Sequence, residues 1–305
     1  MSVVVVAPGQ GSQTPGFLEP WLAEPRFADH LGSLADAAQL NLKAHGTVSD
    51  ADTIRDTAVA QPLIVAASLL AFGAVAADRR DKLAGVAGHS VGELAAAAAA
   101  GILSESDAMV LVRERGQAMA KAAAAVATGM SAVIGGDEAE LLALLDTLGL
   151  SPANYNGGGQ LVVAGELPAL AALAENPPAG ARVIPLQVAG AFHTRYMKPA
   201  VEHLASIASD MTISDPSTTI WTNRDGSTVS SGTAFIDLLV GQVANPVRWD
   251  LCMAAFEKAG VTGLVELAPA GALVGLAKRG LKGLPTVAVK TPDDIPAAIE
   301  LIENS

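Results

Sequence analysis

A single cysteine, Cys252, occurs in the 305 residues, so no disulfide can form within the chain. It sits in the apolar stretch DLCMAAF, reads as a small buried hydrophobe, and suits a reducing compartment. Positive charge is also scarce. Nineteen Lys and Arg against thirty-one Asp and Glu leave a net charge of -12, so a nucleic-acid partner would be held against an unfavourable field and is not expected. The start MSVVVVAPGQG lacks the basic segment and cleavage site of a secretory signal. No uncharged apolar run reaches the ~20 residues of a membrane helix, so a cytoplasmic location without membrane contact is expected. Neither the spacing of a metal-ligand cluster nor a G-x-x-x-x-G-K phosphate loop appears, and therefore no metal and no cofactor is expected.

What the chain does have is apolar mass. Half of its residues are apolar and only 16% charged, enough for a large core and more than one domain. Val3 to Val6 reads as a short buried parallel strand, AQPLIVAASLLAFGAVAA as a helix buried nearly all round, and KLAGVAG as the next strand. A helix between strands predicts a parallel α/β sheet flanked by helices. From residue 127 the rhythm changes. GMSAVIGG, QLVVAG and ARVIPLQV read as strands, DEAELLALLDTLG and LPALAALAE as helices, with one more strand in SPANYNGG. That order predicts a small βαββαβ, ferredoxin-like subdomain over 127–192, inserted in a large α/β-hydrolase-like domain formed by 1–126 and 193–305.

GHSVG, residues 88 to 92, fits the G-x-S-x-G nucleophile elbow, with a strand before it and an alanine-rich helix after it. The turn would raise the Ser90 hydroxyl clear of the sheet and aim the positive end of the helix at an oxygen bound there. A tight glycine turn whose serine caps the helix is the plainer alternative. Serine needs a base, and the histidines are 30, 45, 89, 193 and 203. His193, in VAGAFHTRYM at the junction of the two domains, is the choice, against an ordinary interfacial histidine. Arg115 lies on a helix begun by a Ser104 to Asp107 cap, and its neighbours Leu111, Val112, Ala118 and Met119 are all apolar. A guanidinium on such a stripe needs an anion, either an internal carboxylate or an acidic substrate.

Together PGQGSQ (8–13), GHSVGE (88–93), RGQAM (115–119), GAFH (190–193) and QVANPVRW (242–249) resemble the malonyl-CoA:acyl carrier protein transacylases of fatty acid synthesis and related acyltransferase domains of polyketide synthases. The likeness spans essentially the whole chain, with the five motifs in the family's order. It implies that Ser90 attacks the thioester of malonyl-CoA while His193 takes its proton, oriented by the backbone carbonyl of Gln242. It further implies an oxyanion hole from the backbone N–H groups of Gln10 and Val91, each donor worth about 3 to 4 kcal/mol in comparable sites. Arg115 would pair with the malonyl carboxylate, Phe192 would crowd an α-methyl branch, and Asn156 would lie near the pocket. The malonyl group would then pass to the phosphopantetheine thiol of acyl carrier protein in a ping-pong cycle, releasing coenzyme A. Carrier protein is acidic in this family, so docking would use a local basic patch, for which Lys278, Arg279 and Lys282, with Arg195 and Lys198, are the candidates. Leu94 departs from the aromatic residue many relatives carry after GHSxGE. A monomer is the default expectation. The rival readings are a serine thioesterase or esterase, which shares the elbow, and a non-catalytic carrier-binding subunit.

Overall fold

In the computed structural model, residues 3–304 are described. The strands are β1 (Val3–Ala7), β2 (Leu83–Gly88), β3 (Thr128–Ile134), β4 (Ser151–Gly157), β5 (Gln160–Glu166), β6 (Arg182–Pro185), β7 (Val247–Arg248), β8 (Gly263–Glu266) and β9 (Thr286–Ala288). Four of them form a parallel sheet in the order β2-β1-β8-β9. The alternation of side chains along β1 explains why every residue of that strand is apolar. Val3, Val5 and Ala7 face a core built with helices Thr57–Val75, Gly92–Ala99 and Glu105–Ala125, while Val4 and Val6 face helices Trp249–Lys258 and Ala272–Gly280. Both faces are covered, as a parallel sheet requires.

The helix Thr57–Val75 is apolar around its whole circumference because protein surrounds it. Fifteen of its nineteen residues are buried, and the Asp56 side chain caps its start by accepting from Ala58 N. Contrary to the sequence expectation that no uncharged apolar run is that long, it is the one helix among the described residues long and apolar enough to cross a membrane; 78% of its apolar window is buried in the fold, which is why it is a core helix of this body. The alanine bias also has a packing reason. All eight residues of Gly92–Ala99 are buried, and small side chains let this helix lie against the sheet.

The second sheet runs β6-β3-β5-β4-β7. Its first four strands alternate with helices Glu138–Leu148 and Leu167–Glu175 as β-helix-β-β-helix-β, with antiparallel neighbours throughout. Leu141 and Leu145 of one helix and Leu170 and Leu173 of the other close over Val133, Leu161 and Val163 of the strands. Two details differ from the sequence expectation. The last strand ends at Pro185 rather than at Val188, because from there the chain turns inward to line the cleft between the sheets. Beyond β4 the sheet gains β7, a two-residue parallel strand that pairs Asn154 with Val247 and Tyr155 with Arg248 and so ties this unit to the body of the protein.

Candidate active site

β2 ends at Gly88 and the next helix starts at Gly92, so the chain must reverse within His89, Ser90 and Val91. The two glycines make this possible. A Cβ on Gly88 would lie 2.0 Å from the carbonyl carbon of Gly92, and one on Gly92 would lie 2.2 Å from Ala7 O. The turn leaves Ser90 at a φ of 54°, a left-handed conformation that side chains rarely adopt. It is held there because Ser90 N donates to Asn223 Oδ1 at 2.8 Å and His89 N to Ala7 O at 2.9 Å.

His193 reaches the same point from the far side of the cleft. Its Nε2 is 2.7 Å from Ser90 Oγ, and its Nδ1 is 2.9 Å from the backbone oxygen of Gln242. A carbonyl can only accept, so Nδ1 carries the proton and Nε2 presents a lone pair to the serine hydroxyl. His193 is also left-handed, at a φ of 61°, and its N–H donates to Val243 O at 3.0 Å. Burial, and next the positive charge of Arg115, hold its imidazole far below the ordinary value, at about 3. The ring is therefore neutral at neutral pH.

Arg115 is 1% exposed. Its Nη1 donates to Gln61 Oε1 at 2.7 Å, and its Nη2 donates to Gln242 Oε1 at 3.0 Å and reaches Ser90 Oγ at 3.3 Å. None of its hydrogen-bond partners among the described residues is a carboxylate, and its buried Nε has no partner at all. The internal ion pair that an apolar stripe could have implied is not what surrounds it. Burial lowers its pKa to about 10, with the Glu93 carboxylate opposing, so it remains a cation at neutral pH.

Ser90, Arg115, His193, Phe192, Val91 and Gln10 all line one cleft of about 80 Å³ between the two sheets, closed on its far side by Met130, Val162, Leu186 and Val188. The backbone amides of Gln10 and Val91 make no hydrogen bond among the described residues, so both N–H groups are free to take an oxygen next to Ser90. The glycine-rich loop lies close because Gly9 has no side chain. A Cβ there would be 2.8 Å from His89 Nδ1. Asn156 does not line this cleft but the adjoining outer one. Its amide is taken up by His89 Nε2 at 2.9 Å and Gln160 Oε1 at 2.9 Å. Asn154, two residues earlier on β4, lines both clefts and has a buried Oδ1 without a partner among the described residues.

Sequence reading did not find Gln61, Glu93, Asn154 or Asn223. Gln61 and Glu93 carry a signal, Gln61 as the one amide in a helix otherwise apolar but for two hydroxyl residues and Glu93 as the one polar residue of its helix; Asn154 and Asn223 carry none. Of the remaining histidines, His30 and His203 pair with Glu105 and Glu114, and His89 packs edge-on against Trp249. His30 is only partly exposed, because it packs toward the start of the Glu105–Ala125 helix.

A three-layer α/β body with a serine at a strained turn, a neutral histidine on its hydroxyl and a buried cation beside both has the layout of the serine–histidine enzymes, acyltransferases and esterases among them. Residues 4–295 match the acyl transferase domain family, and the chain belongs to it. It is 53% identical over 297 residues to the malonyl CoA-acyl carrier protein transacylase of Mycobacterium tuberculosis, covering 96% of this chain and 98% of that one. To the protein of the same name from Escherichia coli it is 34% identical over 303 residues, covering 97% and 98%. Among solved structures, the Mycobacterium tuberculosis transacylase superposes with a TM-score of 0.93 at 51% identity, over 98% of this chain and all of that one. A malonyl-transacylase in complex with its type II polyketide acyl-carrier protein superposes at 0.91 with 30% identity, over 99% and 100%.

Proposed function

We infer that this enzyme transfers a malonyl group from malonyl-CoA to the phosphopantetheine thiol of acyl carrier protein. The observation that carries this reading is the buried Arg115 guanidinium, bonded only to neutral partners 3.3 Å from the serine hydroxyl. An acyl group ending in a carboxylate supplies the anion that the site lacks.

The chemistry follows from the geometry. Ser90 Oγ attacks the thioester carbonyl as His193 Nε2 removes its proton, and the resulting oxyanion is received by the N–H groups of Gln10 and Val91. Collapse breaks the carbon–sulfur bond, and the proton on Nε2 goes to the departing thiolate to give free coenzyme A. In the second half the carrier thiol gives its proton to His193, its sulfur attacks the malonyl ester, and Ser90 leaves with that proton. Burial is the main cause of the depressed His193 and the Arg115 charge the second; pairing of the malonyl carboxylate with Arg115 offsets the second, so the base strengthens somewhat when the right acyl group is bound.

Phe192 would limit the acyl group at its α-carbon, and Gln242 would hold both the base and the cation. Asn156 would steady His89 rather than touch the substrate. The transfer would need nothing beyond the two substrates, since Ser90 and His193 make and break every bond. The strand order β6-β3-β5-β4 supports treating 127–192 as a ferredoxin-like subdomain set in a hydrolase-like body of 1–126 and 193–305. Lys278, Arg279, Lys282, Arg195 and Lys198 are exposed, and Arg279 lines the outer cleft that leads to Ser90, which suits the docking of an acidic carrier. A cytoplasmic monomer is the working assumption; fatty acid and polyketide carriers would be handled by the same chemistry.

The test is the intact mass after brief exposure to malonyl-CoA. One malonyl increment is expected on the wild type and none on Ser90→Ala, with malonyl-carrier protein as the product when carrier is added. Release of free malonate in place of carrier transfer would return the enzyme to the thioesterases, and failure to trap any acyl-enzyme would favour a non-catalytic carrier-binding role.

A further inference from the structure

We propose that Glu93 is a positioning residue for acyl selection: its carboxylate fixes the side-chain amide of Gln242 so that the oxygen end of that amide holds the Arg115 guanidinium in place. The inference rests on the malonyl-transfer reading of the site.

Gln242 serves the site twice. Its backbone oxygen holds His193, and its side-chain oxygen accepts from Arg115 Nη2. An amide has one accepting end and one donating end, so its orientation is decided by what lies behind it. Reversed, it would set an NH₂ group against a guanidinium that also only donates. Glu93 prevents this. Its Oε2 accepts from Gln242 Nε2 at 2.6 Å, with Asn223 Oδ1 as a second acceptor at 3.1 Å. Burial pushes the Glu93 carboxyl up to about 8, with the Asn223 N–H and the Arg115 charge opposing, yet each of its oxygens accepts from an N–H donor, an arrangement the ionised form satisfies, so the donating end of the amide faces it.

Glu93 is fixed in turn. Its Oε1 accepts from Asn223 N at 2.6 Å, and Asn223 Nδ2 donates to Gly88 O at 2.7 Å. The same Asn223 holds the amide of Ser90. Nucleophile turn, base and cation are thus joined through three buried residues, Glu93, Asn223 and Gln242.

The placement of charge makes sense only for a cation that must stay available. A carboxylate directly on Arg115 would compete with the acyl carboxylate for the same nitrogens. With the neutral Gln242 amide between them, Glu93 offsets part of the buried positive charge and orients it while leaving the guanidinium open toward Ser90. Glu93 is also the only charged residue in the helix Gly92–Ala99, where packing alone would accept alanine as readily as at its neighbours.

The experiment compares acylation of Ser90 by malonyl-CoA and acetyl-CoA in Glu93→Gln, Arg115→Ala and the double variant, with thermal unfolding measured alongside. A glutamine at 93 has one acceptor for two donors, Asn223 N and Gln242 Nε2, so the Gln242 amide is left with the longer contact to Asn223 Oδ1 alone and is held less firmly. Malonyl kcat/KM should fall about tenfold in Glu93→Gln, mainly through KM, while the acetyl value changes by less than about threefold. The double variant should be no worse for malonyl than Arg115→Ala alone, because Glu93 acts through Arg115. Equal losses for both acyl groups, or single losses that multiply in the double variant, would overturn the proposal. If Glu93→Gln does not fold, Glu93→Asp, which keeps the charge but draws the carboxylate back from Gln242 Nε2, is read by the same two outcomes. Absence of malonyl-Ser90 in the wild type would remove the functional reading and this inference with it, whereas normal wild-type malonylation with an unchanged malonyl-to-acetyl ratio in Glu93→Gln removes the inference alone.

Discussion

Arg115 Nη2 lies 3.3 Å from Ser90 Oγ, so the cation that would bind the acyl carboxylate also touches the serine hydroxyl. Removing it should act on selection before it acts on chemistry. Arg115→Ala is expected to lower malonyl transfer roughly ten- to hundredfold, the range of a charge-assisted pair worth about 1.5 to 3 kcal/mol. Acetyl transfer should fall less, or rise. The malonyl-to-acetyl ratio of kcat/KM measures this directly, and an unaltered ratio would leave Arg115 a purely structural cation.

The same contact predicts a pH effect of definite sign. The free enzyme's proposed base must be neutral to act, and burial with the Arg115 charge holds His193 at about 3, so wild-type kcat/KM with acetyl-CoA should show no His193 limb between neutrality and about pH 4. Burial is the larger cause of that depression and the charge of Arg115 the second. Arg115→Ala removes only the second, so the acid limb should move upward in pH without reaching the ordinary histidine value. Acetyl-CoA is the proper donor for the comparison, because its acyl group carries no carboxylate to titrate. An acid limb at the same pH in both proteins would show that the cation does not tune the base.

How far the site was legible follows from the kind of signal each residue leaves. Ser90 sits between two glycines whose absence of side chains is written in the sequence, and five histidines left few candidates for a base. Arg115 stood out because its helical neighbours are apolar. Glu93 left a fainter mark of the same kind, a lone carboxylate ahead of six alanines, but its partners come from residues 223 and 242 and no local pattern names them. Asn223 lies in a stretch with no regular period, which in the fold contributes only isolated bridges from Ile220 and Trp221. Strand β7 was invisible for a related reason. Two residues cannot show an alternation, and their pairing with β4 depends on the large body closing over the small unit.

Phe192 lines the cleft directly before the base and is 6% exposed. Phe192→Ser should open room beside the α-carbon of the acyl group and let methylmalonyl-CoA acylate Ser90. A stability loss of about 3 kcal/mol, the lower end for removing a large aromatic side chain, should accompany it, since one side of the ring faces the cleft. Competition between the two acyl-CoA thioesters, read as adduct masses, checks the first expectation and thermal unfolding the second. If methylmalonyl is still refused at the wild-type ratio, the ring is core packing and selection lies elsewhere.

Gly92 offers the sharpest test of the turn itself. A Cβ at this position would meet Ala7 O at 2.2 Å and Pro8 O at 2.8 Å, and both are backbone atoms of a buried strand and of the loop that carries Gln10. Nothing flexible is available to yield, so Gly92→Ala must push the helix away from β1, displacing Ser90 Oγ and the Val91 amide together. Misplacement by about 1 Å costs on the order of a hundredfold in rate, and overpacking of this kind typically destabilises by about 1 to 3 kcal/mol. Gly32 is the matching control. It lies in the helix Pro25–Ala38 with open space where a Cβ would go, so Gly32→Ala should leave acylation unchanged and gain about 0.5 to 1 kcal/mol. Acylation rates and unfolding temperatures of the two variants separate a general tolerance for alanine from a turn that has no space for it. Wild-type acylation in Gly92→Ala would mean that Ser90 is not held by the close approach of helix and strand.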